Sequence, residues 1–133
     1  MANKRKTILV IDDSSTIRSI VADMLSKNGF QTLEAETVEV VFTDMERMHF
    51  DLAVIDIFMP GIGGIEGIAK IKERWPNIKI IAISAGVEGM DKNKALRAAT
   101  IQGADRALAK PFTEEDMMAA VNELLEVQEP AEG

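Results

Sequence analysis

Apolar residues along the chain follow two alternating patterns: short continuous runs, and longer stretches in which they recur every three or four positions. The runs are Thr7–Ile11, Gln31–Glu34, Leu52–Ile55, Ile78–Ile83 and Arg106–Ala109. Runs of this length, bounded by polar residues, predict strands. The first, third and fourth are the most apolar, as expected of strands buried on both faces of a parallel sheet, whereas "QTLEA" (31–35) alternates and reads as an edge.

Helical spacing fills the intervals. Ile17, Ile20, Val21, Met24 and Leu25 form an i, i+3, i+4, i+7, i+8 stripe, preceded by the cap hydroxyls of "DDSS" and stopped at Gly29. Thr37 caps a second helix with the stripe Val38, Val41, Phe42, Met45 and Met48. Ile65, Ile68 and Ile71 mark a third, which ends by Trp75 because Pro76 cannot continue it. A fourth, alanine-rich segment runs from about 91 to 102 and closes at Gly103. The fifth has Thr113 as its cap, Glu114, Glu115 and Asp116 in its positive first turn, and Met117, Val121, Leu124 and Leu125 as its stripe.

Strands alternating with helices predict an α/β fold, a five-stranded parallel sheet with helices on both faces joined by right-handed crossovers. In such sheets ligands bind beyond the carboxyl ends of the strands, where the strand order reverses. Asp12 and Asp13 stand at one such end, and three further polar residues follow other strands: Asp56 after "LAVI", Ser84 after "IKIIAI" and Lys110 after "RALA".

Composition narrows what those residues do. The chain has 133 residues, one domain's worth, read as a single domain over 6–127 between flexible tails at 1–5 and 128–133. The absence of cysteine excludes disulfides, thiolate metal sites and cysteine nucleophiles, and it points to a reducing cytoplasm. The apolar stretch after "MANKRK" is too short for a secretion signal, and no run of about eighteen apolar residues exists to span a membrane. A net charge of −7 argues against a nucleic-acid groove; "KNK" (92–94) with Arg97 reads as an ordinary solvated face.

If the first and third strands are neighbours, Asp12, Asp13 and Asp56 converge on one rim, with Ser84 and Lys110 across from them. Two unit charges about 4 Å apart repel by roughly 4 kcal/mol at an effective dielectric of 20, so such a cluster calls for a counter-charge. Oxygen ligands without histidine or cysteine favour a hard divalent cation, Mg²⁺ above all. With a cation in place one carboxylate can act as a nucleophile toward a phosphoryl group, while Lys110 and Ser84 contact the phosphoryl oxygens.

The set "IDD" (11–13), "VIDIFMPGIGG" (54–64), "IAISA" (81–85) and "LAKPF" (108–112), in this order and spacing, resembles the receiver domain of two-component response regulators. The resemblance covers about residues 6–127. It implies a flavodoxin-like strand order 2-1-3-4-5 and a cis Lys110–Pro111 bond. Asp56 is then the phosphoacceptor, Ser84 the switch hydroxyl and Lys110 the invariant cation. Mg²⁺ is held by Asp13, Asp56 and the backbone carbonyl of Phe58, with Asp12 supporting. The implied partners are a histidine kinase or histidine phosphotransfer protein and a downstream protein target, for a stand-alone regulator that is a monomer or weak dimer and catalyses only its own phosphorylation and dephosphorylation.

Three positions depart from the family's pattern or bear on its kinetics. Ala107 replaces the usual aromatic of the last strand, so coupling of a switch hydroxyl to an aromatic rotamer cannot operate. Phe58 and Gly86 occupy places that flank the phosphoryl group in relatives, and Phe58, unable to hydrogen-bond an attacking water, predicts slow self-dephosphorylation. Two other functions compete: a degenerate receiver that binds partners without phosphorylation, which Ala107 keeps open, and an aspartate-nucleophile phosphohydrolase. The latter needs an acid two residues after the nucleophile, where Phe58 stands.

Other motifs read as structure. "GIGGIEG" (61–67) follows the third strand, and Glu66 stands where a dinucleotide loop needs its last glycine. His49, the single histidine, is expected as a solvated residue at a helix end, and Met24, Met45, Met48 and Met117 as core.

Overall fold

A computed structural model describes residues 5–57, 64–84, 97, 100 and 103–125. Its elements are β1 (Thr7–Ile11), α1 (Ser15–Lys27), β2 (Gln31–Ala35), α2 (Val38–Asp44), β3 (Leu52–Asp56), α3 (Gly64–Arg74), β4 (Lys79–Ser84), β5 (Arg106–Ala109) and α4 (Glu114–Leu125). The last of these is the fifth helical segment of the sequence; the one expected near 91–102, apart from the helical positions 97 and 100, lies outside the described residues, as do residues 1–4 and 128–133 of the tails, Phe58, Gly86 and "KNK".

All five strands pair in parallel, in the order β2-β1-β3-β4-β5. Every residue of β3 is buried, and β1 and β4 are buried except at their first residues, so the three most apolar runs are the central strands. Gln31 and Glu34 of β2 face solvent at one edge, and β5 forms the other.

Alternation along the strands divides the core into two layers. Leu9, Ile11, Ala53, Ile55, Ile80 and Ala82 face Val38 and Val41 of α2 and Ile68 and Ile71 of α3. Ile8, Val10, Leu52, Val54, Ile81 and Ile83 face Val21 and Leu25 of α1 and Met117 and Val121 of α4. On the first layer Trp75 packs between the rings of Phe42 and Phe50, at 5.7 and 5.3 Å.

Helix ends follow the hydroxyl and glycine signals. Ser14 accepts from the Ile17 amide and Thr37 from the Val40 amide. Thr113 and Asp116 bond each other's amides, both at 3.0 Å. Gly29 terminates α1 at φ +96°, a backbone conformation open chiefly to glycine. The Lys110–Pro111 bond is cis.

Two expectations need correction. Ile20 is 48% exposed rather than core. It lies about 100° around the helix from Val21, at the margin of a stripe whose centre alone meets the sheet. The second helix ends at Asp44, so Met48 is 43% exposed and His49 follows a turn instead of ending the helix. The carbonyls of that turn bond across the layer: Trp75 Nε1 donates to Met48 O at 2.9 Å, and Arg74 donates to Glu46 O. His49 is solvated as expected, with Nε2 3.1 Å from Asp51 Oδ1. Among the described residues no helix is long and apolar enough to cross a membrane.

Candidate functional site

Parallel pairing puts the carboxyl ends of four strands on one rim. Asp12 follows β1, Asp56 ends β3, Ser84 ends β4 and Lys110 follows β5. The register aligns them: Asp56 lies opposite Ile83, and Ser84 opposite Ala109, with the Lys110 amide donating to Ser84 O at 2.8 Å. The rim is also where the chain order reverses, between β1 and β3, the place where an open parallel sheet forms its crevice.

Asp12, Asp13 and Asp56 each present a carboxylate oxygen within 4.8 Å of the other two. Asp12 and Asp56 are buried, and Asp13 faces solvent. Lys110 Nζ stands 3.6 Å from Asp12 Oδ2 and 3.6 Å from Asp56 Oδ2. Three carboxylates against one ammonium leave the rim two charges short of neutrality, the charge of one divalent cation. The hydroxyl-bearing Ser84 is fully buried beside them.

One atom tests whether these residues suit a cation. Asp12 Oδ1 accepts from the Ser14 amide at 2.9 Å, but Oδ2 is buried and has no hydrogen-bond partner among the described residues. The Lys110 ammonium faces that oxygen at 3.6 Å but is shared with Asp56, which leaves the buried oxygen short of a donor that a further cation would replace. All three side chains are hard oxygen donors, and the cluster contains no histidine or cysteine, which suits Mg²⁺ rather than a softer metal.

The structure therefore gathers Asp12, Asp13, Asp56, Ser84 and Lys110 at one place; the Phe58 carbonyl is outside the described residues. Residues 8–122 match the family description of the response regulator receiver domain. The chain belongs to this family. Receiver domains are signalling modules of two-component systems, and they interact with histidine kinases or phosphotransfer proteins.

Curated relatives agree with the assignment. The receiver is 30% identical over 122 residues to the phosphate regulon transcriptional regulatory protein PhoB of Escherichia coli K12, covering 90% of this chain and 52% of that protein. It is 33% identical over the same length to PhoB of Pseudomonas aeruginosa, again covering 90% and 52%. The chain thus spans about half the length of these relatives. Among solved structures, a CheY-like receiver domain protein from Methanospirillum hungatei superposes with a TM-score of 0.82 at 26% identity, covering 92% of this chain and 95% of that one. The BeF3-activated DrrB receiver domain gives 0.81 at 27%, covering 92% and 99%.

One residue of the rim escaped sequence reasoning. Arg18, fourth in α1, donates from Nη1 to the Asp12 carbonyl at 2.7 Å and from Nε to Glu34 Oε1 at 3.3 Å. A cation near the positive end of a helix is unfavourable unless a partner holds it, and that mismatch was the available signal.

Proposed function

We propose that this receiver is a Mg²⁺-dependent phosphorylation switch with Asp56 as the phosphoacceptor. The observation that carries the reading is the position of Lys110 Nζ, 3.6 Å from an oxygen of Asp56 and 3.6 Å from one of Asp12, within a cluster of three carboxylates. In this reading an Asp56 carboxylate oxygen attacks the phosphorus of a phosphohistidine. A P–O bond forms, the P–N bond breaks, and the imidazole departs with the electron pair and takes up a proton.

Asp13, Asp56 and the Phe58 backbone carbonyl would hold the metal, with Asp12 supporting. When bound, Mg²⁺ would supply positive charge that offsets the negative charge of the phosphoryl oxygens and of the carboxylates beside them. Lys110 places its ammonium against the same oxygens, and the Ser84 hydroxyl donates a hydrogen bond to one of them once it is attached. Phosphorylation then favours one arrangement of the segments carrying Ser84 and Lys110, and the changed surface engages a downstream protein.

The donor is a histidine kinase or histidine phosphotransfer protein. A phosphohistidine reaches Asp56 only if its carrier sits on the rim, and an apolar groove of about 380 Å³ lies there, lined by Ile17, Ile20, Val21, Met24, Pro111 and Phe112 beside Lys110. Ile20, exposed on this groove, offers the carrier an apolar anchor.

Beryllofluoride, which mimics a phosphoryl group on a carboxylate, tests the site. ¹⁹F spectra are expected to show a bound species in the wild type with Mg²⁺, and none with EDTA or in Asp56→Asn. A bound species that persists in Asp56→Asn refutes the assignment. Ala107 favours one other reading, a module that binds partners without phosphorylation, and failure of the wild type to bind beryllofluoride with Mg²⁺ would support it.

A further inference from the structure

Asp12 is held from every side but one. Its amide donates to Ala35 O at 3.2 Å, which extends the pairing of β1 with β2 by one residue. Its Oδ1 accepts from the Ser14 amide at 2.9 Å, and its carbonyl accepts from Arg18 Nη1 at 2.7 Å. Among the described residues only Oδ2 is left without a hydrogen bond, on the side of Lys110.

The carbonyl bond matters because the Asp12 carbonyl belongs to the peptide plane that joins Asp12 to Asp13. An arginine that fixes that plane sets the direction in which both carboxylates leave the chain. Arg18 is itself anchored: its side chain is only 18% exposed, its Nε lies 3.3 Å from Glu34 Oε1, and its amide sits in the first turn of α1, bonded to Ser14 O at 2.9 Å. Glu34 is on the edge strand, directly opposite Val10 in the register. The pair therefore braces the β1–α1 loop against β2, a strand that contributes no carboxylate to the cluster.

We infer that Arg18 is a positioning residue for the cation site, with Glu34 as its anchor; this rests on the reading of Asp12, Asp13 and Asp56 as a Mg²⁺ site. Arg18 acts on the metal in two opposed ways. As a nearby positive charge it repels a cation, and as a brace it holds the carboxylates in place to receive one. Bracing dominates, because the guanidinium binds through two directed hydrogen bonds to a carbonyl and a carboxylate on separate elements.

The two effects predict opposite signs, so one titration separates them. Calorimetric titration of the full chain with Mg²⁺ alone, at fixed ionic strength, is expected to show Arg18→Ala binding about tenfold more weakly than wild type, the size of loss usual for residues that orient metal ligands. Arg18→Lys, which keeps the charge and lacks the fork, should fall between them. Glu34→Gln, a change on the exposed edge, should weaken binding less than Arg18→Ala and add nothing to it in the double variant.

Urea unfolding in EDTA, followed in parallel, distinguishes a lost brace from a lost fold, and Glu34→Gln keeps the test available if Arg18→Ala does not fold. Unchanged or tighter Mg²⁺ binding in Arg18→Ala, or additive losses in the double variant, would overturn the positioning role. If the wild type itself takes up no Mg²⁺, the cation site fails and this inference falls with it, a result distinct from a wild type that binds and an Arg18→Ala variant that binds equally well.

Discussion

Replacing Asp13 by asparagine should make the metal-free protein more stable and the Mg²⁺-loaded protein less so. Asp13 faces Asp12 and Asp56 with carboxylate oxygens within 4.8 Å. Two unit charges at that distance repel by about 3 kcal/mol at an effective dielectric of 20. Asp13 is exposed, however, and solvent and salt screen most of this, leaving roughly 1 kcal/mol of strain that Asp13→Asn relieves without changing the shape of the side chain. Mg²⁺ reverses the sign. A ligand present at one hundred times its dissociation constant stabilises the form that binds it by about 2.7 kcal/mol, most of which Asp13→Asn should forfeit.

The assay is urea unfolding read from Trp75, the single tryptophan, whose buried position between Phe42 and Phe50 makes its fluorescence a reporter of the folded state. Wild type and Asp13→Asn are compared in EDTA and in Mg²⁺, with sodium matching the ionic strength. The stability order of the two proteins should invert between the conditions. A variant less stable than wild type in EDTA, together with an equal gain from Mg²⁺, would refute the view that these carboxylates are crowded for the sake of a cation.

Three further outcomes follow from single residues. A Cβ on Gly67 would stand 2.7 Å from Val38 Cγ2, so Gly67→Ala should destabilise by about 1 kcal/mol, an overpacking cost of about 1–3 kcal/mol less a helix-propensity gain of about 1. Its loss should shrink when Val38→Ala is also present, and additive urea midpoints would contradict the clash. Hydrogen bonds from Lys27 and Asn28 hold Glu114 below its ordinary carboxylate range, with the Lys27 charge acting in the same direction and slight burial against it. A depressed folded pKa gives stability that is present above the ordinary value near 4.5 and is lost as pH falls through the lower folded value. The stability difference between wild type and Glu114→Gln should therefore be present at neutral pH and vanish in acid, and a difference that grows in acid would refute the tie. Phe58→Asn, which offers an attacking water a hydrogen bond, should shorten the lifetime of the phosphorylated form, and an unchanged or longer lifetime would remove Phe58 as a shield.

Much of this was legible in the chain because burial in a parallel sheet leaves a strong mark. β3 is buried at every residue, and its run of apolar side chains could belong only to the interior. The site was legible for a related reason: a polar residue at the carboxyl end of an apolar strand has nowhere to go but the rim, and Asp12, Asp56, Ser84 and Lys110 all stand at such an end. Where the reading failed, tertiary contacts outweighed local periodicity. Ile20 kept the helical spacing of a core residue but lies at the margin of the stripe, and α2 ended early as Trp75 and Arg74 took the carbonyls of the turn after it. Arg18 was missed because its role depends on a carbonyl and on a residue of another strand, neither of which a side-chain pattern encodes.

The intact mass of the protein after incubation with acetyl phosphate is the most direct test of the central claim. Wild type with Mg²⁺ should gain one phosphoryl group, and Asp56→Asn, or wild type in EDTA, should gain none. An adduct that forms in Asp56→Asn, or no adduct in wild type with Mg²⁺, would contradict Asp56 as the metal-dependent phosphoacceptor.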